Sequence, residues 1–124
     1  MEQLLLHLIG DYILQTNWMA REKIRRSLAA AVHVTLYVLP FVLLTQSVTA
    51  LTVMWVSHFL IDRFRLARHL IFAKNWVTEP SLTWQDCSRT GYPSELPAWL
   101  SVWLMIVTDN TMHLVTNYAA IRWL

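Results

Sequence analysis

Four apolar stretches, 4–20, 27–45, 50–64 and 98–121, carry most of this chain, and each is interrupted by histidine, aspartate or both. Each is near the ~20 residues that a helix needs to cross a bilayer. With only two glycines and four prolines, long helices are expected and a turn-rich β fold is not. Hydrophobic residues make up 56% and charged residues 15% of the 124 positions, against roughly a quarter charged in an ordinary soluble domain. A soluble core in so short a chain has no room for that much apolar surface. The expected fold is therefore all-α: an integral membrane bundle of about four transmembrane helices in a single domain over 1–124, with a cytoplasmic amphipathic stretch and loop.

In the first stretch, His7, Asp11 and Gln15 recur every four positions. At about 100° per residue they drift only ~40° per step and share one helix face. Gly10 leaves room for a neighbouring helix to approach closely. No Lys or Arg precedes Arg21, which favours a span over a surface helix. The early Glu2 and the polar interruptions are unlike a secretory signal, so this helix reads as retained. In the second stretch Pro40 is expected to kink the helix. The uncharged link 46–49 returns the third stretch antiparallel, and that helix runs on into a basic amphipathic segment, 65–74, along the membrane surface. Residues 75–97 hold three prolines and Gly91 and read as a loop.

The formal charge is +2, and the bases cluster at Arg21, Lys23, Arg25 and Arg26 and at Arg63, Arg65, Arg68 and Lys74. Each cluster follows an apolar run, placing loops 21–26 and 65–97 on the cytoplasmic side and both termini outside it. The expected setting is thus multi-pass in a membrane, with the lipid bilayer and its anionic headgroups as partners. Trp18, Trp76, Trp99 and Trp123 fall near span ends, where indoles favour the headgroup region. No recognition motif accompanies the charge, which excludes nucleic acid. The single Cys87 excludes an internal disulfide.

Three stretches repeat one pattern: His7-x-x-x-Asp11, His58-x-x-x-Asp62 and Asp109-x-x-x-His113, with His33 on the remaining helix. Each pair puts an imidazole and a carboxylate one turn apart on one face. Ionisable groups within spans cost about 2.5–3.5 kcal/mol each. Three acids therefore require compensation on the order of 8–10 kcal/mol from pairing, water or a bound cation. The bland alternative is that each Asp pairs only with the His of its own helix. The functional alternative is one shared site.

Four His and three Asp suit Zn²⁺ or another divalent transition metal such as Mn²⁺ or Fe²⁺, with donors enough for two ions. At 1.5 Å rise per residue the set spreads over roughly 15–18 Å, so not all seven can meet one ion. In the enzyme version Asp11, His33, His58, Asp62 and Asp109 are ligands, and His7 and His113 are outer ligands or proton carriers. Gln15 orients substrate or water. With Asp62 and Asp109 in catalysis, a metal-bound hydroxide attacks a lipid or phosphoester. Two other classes stay open: a regulatory protein that binds another membrane protein, and a proton or ion path formed by a homo-oligomer. Ser57 lacks the glycines of a nucleophile elbow, and His69 is expected to face solvent.

The stretch from His7 to Ala20 with Lys23, then His33, His58-Phe-Leu-Ile-Asp62 and Asp109-x-x-x-His113, resembles a family of small polytopic membrane proteins from bacteria and their phages, a domain of unknown function. The family tends to have glutamine where this chain has Asn110, and lysine near the third-helix aspartate where it has Arg63 and Arg65. The pattern is also loosely similar to membrane-bound metal-dependent hydrolases, which place His and Asp on successive helices. The resemblance implies a membrane bundle in a bacterial inner membrane and supports the His and Asp site residues, and brings no activity with it.

Overall fold

The first apolar stretch does not form one rod. In the computed structural model, which describes residues 1–124, α1 spans Glu2–Leu8 and passes into a π turn over Ile9–Ile13. There Leu14 N donates to Ile9 O at 2.9 Å, one residue wider than an α-helical bond. The chain leaves the helix at 14–16. Thr16 Oγ1 accepts from Met19 N at 3.3 Å and starts α2, Asn17–Glu22, satisfying one of the free amides of a helix start.

An extended Arg26 (φ −120°, ψ 121°) precedes α3, Ser27–Val38. Pro40 has no amide to continue the ladder, and the chain tightens to a 3-10 turn over Leu39–Leu43. Ser47 Oγ accepts from Ala50 N at 3.2 Å at the start of α4, Val48–Phe64. The left-handed Arg65 (φ 51°) stands between α4 and α5, Leu66–Thr78. A one-turn α6, Trp84–Cys87, and the long α7, Ala98–Trp123, complete the chain. Helix makes up 77% and there is no strand, so the chain is all-α.

Two compact units form: Met1–Phe64 with His113–Leu124, and Arg65–Met112. In the first, Val34, Tyr37, Val38, Phe41, Ala50, Met54 and Ala120 make the apolar core, flanked by Leu6, Trp55 and Phe59. Gly10 lies flat against Tyr37 of α3, and a Cβ there would overlap the ring. This is the close approach expected of it. In the second unit Ala67 and Ile71 of α5 are buried. Gly91, at φ +86°, sits so near Arg68 O and Ile71 that no side chain fits. The 75–97 segment is less irregular than expected, since α5 runs to Thr78 and α6 lies within it.

No helix is long and apolar enough to cross a membrane. The 17 residues of α4 extend ~25 Å at 1.5 Å each, against a hydrocarbon core of ~30 Å. The 26 residues of α7 suffice in length but carry Asp109, Asn110, His113 and Asn117. The four transmembrane helices and the multi-pass inner-membrane placement expected from hydropathy are therefore not supported. Summed hydropathy does not register the π turn, the Thr16 cap or the 3-10 turn at Pro40, and those are what divide the first two apolar stretches.

Candidate metal centre

Five side chains from four elements of the first unit converge: Asp11 from the π turn, His33 from α3, His58 and Asp62 from α4, and His113 from α7. All are buried. The spacing of four that turns His58 and Asp62 to one face of α4 also turns them to the same point, His58 Nε2 being 3.2 Å from Asp62 Oδ2. His33 Nε2 lies 3.2 Å from His58 Nε2, 3.2 Å from Asp62 Oδ2 and 3.3 Å from Asp11 Oδ1. His58 Nε2 is likewise 3.3 Å from Asp11 Oδ1, and His113 Nε2 is 3.3 Å from Asp62 Oδ1. Two overlapping triads can each hold a metal ion, Asp11–His33–His58 and His58–Asp62–His113, with the donor atoms of each within 4.8 Å of one another.

These separations would suit co-ligands of one ion. Charge-assisted hydrogen bonds run about 2.7–2.9 Å. Ligands about 2.0–2.1 Å from a tetrahedral zinc stand roughly 3.3–3.4 Å apart. The triangle Asp11 Oδ1, His33 Nε2, His58 Nε2 has sides of 3.3, 3.2 and 3.3 Å, matching one face of such a tetrahedron. Asp11 Oδ1 is buried at ion-pair distance from both imidazoles without a well-aligned hydrogen bond to either, and His33 Nδ1 and His58 Nδ1 are without partners. Buried polar atoms are seldom left so. The donor set fits a divalent transition metal.

An outer layer holds the ligands in place. His7 Nδ1 lies 3.4 Å from Asp11 Oδ2 and 2.9 Å from the Tyr37 hydroxyl. Asn117 donates from its amide to that same hydroxyl, and the Tyr37 ring packs on His58 with centroids 3.8 Å apart. Lys23 donates to Asp62 Oδ2 at 2.8 Å and stands 3.5 Å from His33 Nε2. Burial alone would push Asp62 up, but His113, His33 and His58 outweigh it and hold the carboxyl well below its usual range. Burial likewise acts to lower His33, and the Asp11 and Asp62 carboxylates raise it instead. Both shifts express one fact: the pocket favours positive charge.

Of the residues singled out in the sequence, Asp11, His33, His58, Asp62 and His113 meet, and His7 stands behind Asp11. Gln15 falls in the turn after the π segment, half-buried, with its Oε1 unpartnered. Asp109 belongs to the second unit, where its charge acts on Arg65. The bland pairing therefore holds within α1–π and within α4, yet both carboxylates also reach across to other helices. Lys23, Tyr37 and Asn117 were not among the expected site residues. Tyr37 is four after His33 and Asn117 four after His113, so the spacing that found the ligands also marks their supports.

An all-helical protein with a buried His/Asp centre able to hold a metal ion is what the fold and site define. The chain belongs to the family described as protein of unknown function (DUF3307), which matches residues 1–86. No curated protein and no solved structure matches it.

Proposed function

We propose that this protein is a metal-dependent hydrolase whose centre, held by Asp11, His33 and His58, acts on a lipid or other phosphoester delivered from a bacterial inner membrane. The triangle of donors with sides of 3.2–3.3 Å carries the reading. Three protein ligands leave a tetrahedral ion one open position, the arrangement of catalytic zinc sites. In this reading Asp62, paired with His58 and His113, would accept a proton from water and Gln15, from the turn after the π segment, would orient it. A metal supplies water acidified to near neutrality.

A lipid setting is favoured by one further observation. Leu5, Ile13, Leu28, Leu43 and Val48 of the first unit are exposed by more than half, and exposed apolar surface, where contiguous, marks a membrane or protein contact. In the second unit α5 carries Arg68 and Lys74 together with exposed Leu70, Trp76 and Val77, a composition suited to anionic headgroups.

The test is metal content. Detergent-purified protein loaded with Zn²⁺, Mn²⁺ or Fe²⁺ and desalted is expected to retain about one equivalent. Retention below about a tenth of an equivalent of every metal tried ends the proposal.

A further inference from the structure

Lys23 is the group of the centre that reaches outward. Its side chain is 17% exposed, whereas that of its partner Asp62 is 3% exposed. It caps the C-terminal end of α2, a helix of six residues. Its Nζ lies 2.8 Å from Asp62 Oδ2, the same oxygen that stands 3.2 Å from both His33 Nε2 and His58 Nε2. It is also 3.5 Å from His33 Nε2 itself. An ammonium thus contacts His33 Nε2, a donor of the first triad, and Asp62 Oδ2, the carboxylate oxygen beside it.

The charges make this placement meaningful. With neutral imidazoles, Asp11 and Asp62 give the pocket two negative charges, and buried charge without a partner is strongly disfavoured. Lys23 supplies one compensating charge. A divalent ion held through His33 Nε2 would lie only a few ångströms from Nζ, where the repulsion of the two cations is several times RT even at an effective dielectric constant of 20. Both cannot keep their places. The lysine has a flexible four-carbon stem and a partly exposed side chain, so it is the cation free to swing outward.

We propose that Lys23 is the resident cation of the metal-free centre and is expelled from Asp62 when a divalent metal binds. The inference rests on the metal reading above and goes beyond it, since it assigns a competitor that sets the affinity.

The chain has two lysines, Lys23 and Lys74, and the exposed Lys74 serves as an internal reference. Wild-type protein, with and without Zn²⁺, is treated with an amine-acylating ester and read by peptide mass spectrometry, with metal content measured on the same samples. Lys23 should be protected relative to Lys74 in the metal-free protein and several-fold more reactive once metal is bound. An unchanged ratio in protein that has taken up the metal overturns the displacement and leaves the metal centre standing. Protein that takes up no metal overturns both. In a second arm, Lys23→Met should bind Zn²⁺ about tenfold more tightly, a change of about 1.4 kcal/mol. Equal or weaker binding by a folded Lys23→Met protein overturns the proposal.

Discussion

His58 is the residue that both triads share, through one Nε2 that meets Asp11 on one side and Asp62 on the other. Whichever triad takes the ion, His58→Ala removes a ligand from it. His7 instead touches Asp11 from behind, and outer partners of this kind cost roughly 10–100-fold in affinity when removed. His58→Ala is therefore expected to abolish metal retention, and His7→Ala to weaken it within that range; titration of both folded variants with Zn²⁺ checks this. Equal losses would contradict the division into ligands and supports. The four-residue spacing made His7, Asp11, His58 and Asp62 legible in the sequence because it depends only on helix geometry. It reports a face and never a partner, so it could not tell that Asp62 meets His33 and His113. Lys23 was hidden by its neighbours, Arg21, Arg25 and Arg26, whose charge explained it as a loop cation.

Among the elements, the π turn and α3 constrain one another through Gly10 and Tyr37. The Tyr37 ring is fully buried, its hydroxyl is held by His7 and Asn117, and its face rests on His58. It cannot step aside for a methyl group. Gly10→Ala should therefore destabilise the first unit by about 1–3 kcal/mol, the usual cost of overpacking, seen as a lower Tm by circular dichroism. An unchanged Tm would show that the contact is slack. Gly10 beside Asp11 announced a close approach, and that much could be read in advance. Pro40 announced a disturbance and produced the 3-10 turn. The break after Leu14 was not legible from hydropathy, although Thr16 is an ordinary N-cap residue followed three positions later by the amide it accepts from.

For the molecule as a whole, composition fixed the helical class and overstated the spans. The apolar excess is nevertheless there, spread over exposed Ile13, Leu28, Leu43, Val48 and Val77. If that surface lies in lipid, the protein should float with vesicles containing anionic phospholipid in a density gradient and stay with them in high salt. Headgroup attraction alone would be lost with screening, so release by salt would leave only a peripheral contact. Sequence could state how much apolar surface must be covered, since that is a sum over residues. Which residues face outward depends on where each helix stops.

The π turn at 9–13 has a consequence for how such a site can arise or disappear. A turn of this kind corresponds to one residue added to a regular helix. Deleting a single residue there would restore the ordinary ladder and swing everything before it by about 100°. A deletion after Asp11 would carry His7 and Asp11 together away from Tyr37 and His33 in one event, with no ligand replaced. A change of chain length, rather than of residue type, would then be enough to disturb the centre.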